Sequence, residues 1–112
     1  MSKVKVLLVF SEEGCCSEYM VEKEVVKEIE ENWKNENRDE VDFDLIEKIG
    51  CEGYVNRNKF GGDMEEIYEG LNSREEMDKR EMEMVDYIYE EVVEKENWKR
   101  IWGDGYVEVY IK

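Results

Sequence analysis

The chain has 112 residues and a net charge of −15, from 31 acidic and 16 basic side chains, with 41% hydrophobic residues. That length and apolar content fit one domain with a single core and exclude a disordered acidic tail. The charge opposes direct binding to nucleic acid and to anionic membranes, and the apolar runs are too short to span a bilayer.

Lys3 to Phe10 alternates and then becomes continuously apolar, the pattern of a buried central strand. Ser11 suits a helix N-cap, with Glu12 and Glu13 at the positive end of the dipole. The helix expected from there reaches Lys34, with Val25, Val26, Ile29 and Trp33 on one stripe. Val41, Phe43 and Leu45 alternate with Asp42 and Asp44 as a half-buried strand. Tyr54 to Phe60 is compatible with a short strand or an ordered loop. Gly61-Gly62-Asp63 reads as the start of a short helix.

Ser73 and Glu76 fit a capping box ahead of a long helix to about Asn97, with Met77, Met84, Val85, Ile88 and Val92 on one face. Trp98 to Trp102 and Tyr106 to Ile111 flank Gly103-Asp104-Gly105 as a terminal hairpin. Tyr106, Glu108 and Tyr110 share one side of its last strand, as a partner-binding surface or as part of a strand buried on both sides. The expected fold is a single α/β (α+β) domain over residues 1–112. It is a two-layer sandwich with helices on one face of a small mixed sheet, in the order β-α-β-(β)-α-α-β-β, ferredoxin-like or thioredoxin-like.

An absence is as informative as any motif. Ala, Thr, Gln, Pro and His do not occur, and the fifteen amino acids that remain are those with cytosine-free codons. Proline alone averages about 5% of residues, so several were due. The expectation is a gene engineered or selected without cytosine in its sense strand. In such an alphabet a free Cys substitutes for Ala as a small packing residue, which is the expected role of Cys15, Cys16 and Cys51.

Four residues are candidates for chemistry: Cys15, Glu18, Glu22 and Glu81. Glu22 and Glu81 fall inside the apolar stripes of the two long helices. A carboxylate there marks a site, a helix overhanging the sheet, or a charge neutralised by Arg57 or Lys59. Without His, the usual triads and zinc sites are excluded, and no Ca²⁺-loop spacing is present. No cofactor or metal is expected.

Val6 to Phe10, Ser11, Cys15 and the helix through Trp33 resemble the first half of the thioredoxin-like superfamily. That resemblance implies a reactive Cys15 whose thiol is acidified by the helix end. Glu18 stands where the family has its second Cys, and the family's cis-proline has no counterpart in a chain without Pro.

The function expected first is a stably folded acidic domain without catalysis. The alternatives are an acidic inhibitor that mimics nucleic acid on a basic protein surface, and a degenerate thiol redox protein. The Met-Ser-Lys start shows no signal-peptide pattern, so the cytoplasm is the expected compartment. As a solubility feature the negative charge would be spread over all exposed faces. In a mimic it would gather on the outer sides of the helices, at Glu24, Glu28 and Glu31 or at Glu83, Glu90 and Glu94.

Overall fold

The computed structural model describes residues 2–35 and 46–112. The expected strand at Val41 to Leu45 lies outside them. Strand β1 (Lys3–Phe10) is central, as its apolar run implies, and pairs antiparallel with β2 (Cys15–Glu22) on one side and β5 (Val107–Ile111) on the other. β3 (Val55–Asn56) joins the outer edge of β2, and β4 (Lys99–Gly103) closes the far edge beside β5. The five-stranded order is β3-β2-β1-β5-β4, with every pair antiparallel.

The main difference from the sequence expectation lies between Ser11 and Glu22. Residues 11–14 form a tight turn, β2 follows, and helix α1 starts only at Lys23 and runs to Asn35. The described order therefore opens β-β-α rather than β-α-β. The physical reason is the neighbour that β1 requires. Its backbone groups on the side away from β5 need partners, and Cys15–Glu22 supplies them over eight residue pairs, Phe10 opposite Cys15 through Lys3 opposite Glu22.

Gly14 makes the turn possible. Its φ is +67°, and a Cβ there would come within 3.0 Å of Met84. Ser11 does not cap a helix; its hydroxyl donates to the Gly105 carbonyl at 3.0 Å, tying this turn to the β4–β5 turn.

The described helices cover both faces of the sheet, where helices on one face were expected. On one face, Val6, Leu8, Val21 and Val109 pack with Val26 and Ile29 of α1. Burying each such side chain stabilises the fold by about 1.5–3 kcal/mol. On the other face, Leu7, Val9, Cys16 and Tyr110 pack with Ile88, Val92 and Trp98. The alternation of β1 sends Leu7 and Val9 one way and Val6 and Leu8 the other, which is why the whole strand is apolar.

Helix α2 (Met64–Ile67) is a single turn, started by Asp63 as expected: the Asp63 carboxylate accepts from the Glu65 amide at 2.9 Å. Helix α3 (Arg74–Tyr87) begins with the expected cap. Ser73 Oγ accepts from the Glu76 amide at 3.2 Å, and Glu76 accepts from the Asn72 amide at 2.8 Å. From Ile88 to Glu94 the helix continues as a wider π-helical segment, and Asn97, at φ 61°, ends it.

The terminal hairpin matches its expectation, with Asp104 accepting from the Tyr106 and Val107 amides at 2.8 Å each. Of Tyr54 to Phe60, only Val55–Asn56 is strand. Glu108 and Tyr110 are buried while Tyr106 is exposed, so the last strand is buried on both sides. No helix among the described residues is long and apolar enough to cross a membrane.

Candidate functional site

Two carboxylates are buried on the α3 face of the sheet, Glu18 and Glu108, each 8% exposed. They lie on either side of the apolar centre, and each is closed by an arginine. Arg57 donates to Glu18 at 2.7 Å and also to Glu96, which accepts from the Trp98 indole at 3.3 Å and pairs with Lys112 at 3.6 Å. The Arg57 guanidinium, followed by the indole, holds the Glu96 carboxyl below the usual range against the opposing effect of burial.

On the other margin, Glu108 accepts hydrogen bonds from the Tyr89 and Tyr110 hydroxyls and pairs with Arg100 at 3.5 Å. Burial first, then the charge of Glu108, pushes the Tyr110 phenol up to about 12; Tyr89 is raised as well, by burial and by its hydrogen bond to Glu108. In both networks the buried carboxylate is hydrogen-bonded and paired, as buried charge requires, while the cationic partners reach toward solvent. They hold the fold together rather than offer a reactive group.

Of the four sequence candidates, Glu18 belongs to the first of these networks. Glu22 ends β2 and faces Lys3 at 4.0 Å, so it sits in a strand and not on a helix stripe. Its Oε2 has no hydrogen-bond partner among the described residues. Cys15 and Glu81 do come together. Both line a cleft of about 430 Å³ between the Ser11–Gly14 turn, α2 and α3, whose floor is Ile67 and Met84.

A second compartment of about 380 Å³ adjoins it across Glu12 and Glu81, lined by Asp78, Met82, Val85 and Asp86. Glu81 is exposed and accepts from the Tyr68 hydroxyl at 2.8 Å, because this end of α3 overhangs the sheet edge. That bond, more than burial, raises the Tyr68 pKa.

Chemically, the cleft lacks an activated group. Cys15 opens a strand and has no helix end to acidify it. Burial, and then the neighbouring Glu13 carboxylate, raise its thiol, outweighing a hydrogen bond from Asn58. Cys16 is fully buried and its thiol is pushed up to about 12 by burial, while Cys51 is exposed; all three are free thiols. Among the described residues, no group of three or more Cys, Asp or Glu side chains is placed to hold a metal ion.

What the cleft does present is charge. Residues 12–13, 63–69 and 74–94, the segments around it together with the helical continuation beyond it, carry fifteen acidic and three basic side chains, a net −12 of the total −15. α1 carries four acidic and three basic residues and is almost balanced. Glu12 and Glu13 stand out in the sequence only as an expected helix start, and Asp78, Met82 and Asp86 do not stand out at all. The available signal was Asp78, Met82 and Asp86 at four-residue spacing, which puts a methionine, here 64% exposed, in the middle of an acidic helix face.

Fold and cleft together define an α+β domain with an antiparallel sheet, helices on both faces and one strongly acidic side. No protein-family model, curated protein or solved structure matches the chain.

Proposed function

We propose that the chain is a non-catalytic acidic domain that binds the basic surface of a protein partner where that surface would otherwise hold nucleic acid. The carrying observation is the segregation of charge: twelve of fifteen net negative charges belong to the segments around the α2–α3 cleft and the helical continuation beyond it. A charge kept only for solubility has no reason to concentrate in this way. The placing of Glu18 and Glu22 away from the cleft that holds Cys15 and Glu81, and the raised Cys15 thiol, favour binding over catalysis and give the redox alternative no support. The test is competition. An arginine-rich peptide pre-bound to labelled duplex DNA should be stripped from it by the chain at about 150 mM salt, where screening acts within about 8 Å. Loss of all competition at that salt would leave the charge as a solubility feature.

The alphabet supports a separate statement about origin. The five missing amino acids are those whose codons all contain cytosine, so we propose a gene engineered or selected to be cytosine-free on its coding strand. Its Ser, Arg and Leu codons are the check, because each of those amino acids also has codons with cytosine.

A further inference from the structure

We infer that the two-compartment cleft is a docking groove for an extended, lysine- or arginine-bearing segment of the partner, taking the aliphatic stems on an apolar wall and the cationic ends on a carboxylate rim. The inference rests on the proposed binding to basic surfaces and locates it. The groove is apolar where it is deep and acidic where it is open. Ile67 and Met84 are buried in its floor, Val85 and the exposed Met82 form its wall, and Glu12, Glu13, Glu81 and Asp86 stand around it.

No Lys or Arg lines either compartment, and none pairs with those four carboxylates among the described residues. Two nearby cations are already engaged: Arg80 lies 4.3 Å over the Phe60 ring and donates to the Ile67 carbonyl at 2.7 Å, and Arg74 pairs at 3.3 Å with Asp78, which itself lines the second compartment.

Long basic side chains match both halves of this arrangement, since their stems cover apolar surface while their charged ends stay at a wet rim. The dimensions favour a chain segment over a single amine. The groove-lining stretch of α3, Asp78 to Asp86, rises about 12 Å at 1.5 Å per residue. That length matches about four residues of extended peptide. A second copy of the chain is a poor occupant, because each copy carries −15.

The experiment measures fluorescence anisotropy of a labelled octa-arginine peptide at about 150 mM NaCl. Three folded variants, verified by circular dichroism, are compared with the unmodified chain. Glu12→Gln/Glu81→Gln removes two rim charges; Glu24→Gln/Glu31→Gln removes two from α1. Met82→Glu adds a charge while spoiling the apolar wall. The groove predicts weakening by about fivefold or more for the rim pair, a change within about twofold for the α1 pair, and weakening for Met82→Glu. Equal losses in both pairs, or tighter binding by Met82→Glu, would show diffuse attraction and overturn the groove while leaving basic-surface binding intact. No binding by the unmodified chain would overturn both.

Discussion

Replacing Arg57 by Met should destabilise this protein strongly. Among the described residues Arg57 is the one cation paired with Glu18, and it also binds Glu96; the side chains of the three retain 23%, 11% and 26% exposure. Removing one partner of a fully buried pair costs about 3–5 kcal/mol, because the remaining charge is left uncompensated. The partial exposure here lets water reach Glu96 more readily than Glu18, so about 2–3 kcal/mol is the expected loss. With a urea m-value of about 1.5 kcal/mol/M, the midpoint should fall by about 1.3–2 M. Trp98 fluorescence reports it, since its indole is bonded to Glu96. The pH dependence has a definite sign. Arg57 lowers the folded pKa of Glu96, so this part of the stability is present above the unfolded carboxyl pKa of about 4.3 and is lost as pH falls below it. The gap between parent and variant should therefore narrow from pH 5 to pH 3 (a range set by that ordinary carboxyl value of about 4.3). Adding Glu18→Gln to Arg57→Met should recover part of the loss. A midpoint shift below about 0.5 M, or no recovery in the double variant, would refute the assignment of Arg57 as the counter-charge of a buried carboxylate.

Thiol labelling should proceed in the order Cys51, Cys15, Cys16, with Cys16 reacting only on unfolding, as mass spectrometry of alkylated protein would show. Cys16→Ala should cost about 1 kcal/mol by denaturant titration, consistent with a packing role. Among the seven tyrosines, Tyr89 and Tyr110 should ionise last in an absorbance titration, Tyr110 at about pH 12 and Tyr89 above the ordinary phenol range or on unfolding. Because their folded pKa values are raised, the stability they contribute is full below the ordinary phenol pKa of about 10 and is lost as pH rises above it. Ser73→Ala should destabilise the chain by about 1 kcal/mol in the same denaturant assay, because α3 loses its N-cap.

The sequence was most legible where local chemistry acts alone. The Ser73 cap, the Asp63 start, the Gly-Asp-Gly hairpin and the central β1 strand are each determined by a few adjacent residues, and each is found where expected. It misled where a long-range partner decides. Ser11-Glu12-Glu13 has the chemistry of a helix start, yet β1 has an open edge and Gly14 can turn, so Cys15–Glu22 becomes a strand. The same register places Glu22 opposite Lys3 and Glu18 opposite Leu7, two pairings that no helical wheel contains. Glu81 interrupts an apolar stripe, which leaves open a site, an overhanging helix or a neutralised charge; its exposure agrees with the overhang. The cleft itself was invisible for a simpler reason. Its acids come from three segments far apart in the chain, and only the fold brings them to one place.

The placement of charge along the last long helix carries the argument one step further. An α-helix is stabilised by acids in its first turn and bases in its last. α1 follows this rule, with Glu24 first and Lys34 last, and α3 follows it at its start with Glu75 and Glu76. The π-helical continuation departs from it in part: Glu90 and Glu91 lie in its first turn and Glu94 at its end, with no base before Lys95 at the C-cap, which pairs with Glu91 at 3.2 Å. A shortage of residue types does not explain this, because the restricted alphabet contains Lys and the chain uses eleven of them. Acids at the negative end of a helix dipole cost stability, so their presence needs a compensating role, and the proposed basic partner supplies one. Glu90→Lys/Glu94→Lys separates the two demands. Relief of the dipole should raise the melting temperature by about 2–4 °C. Binding of octa-arginine should weaken at the same time, since the acidic track beyond the groove is cut. A variant that melts higher and binds as well as the parent would mean that these acids serve no partner, and the acidic side would reduce to the groove alone.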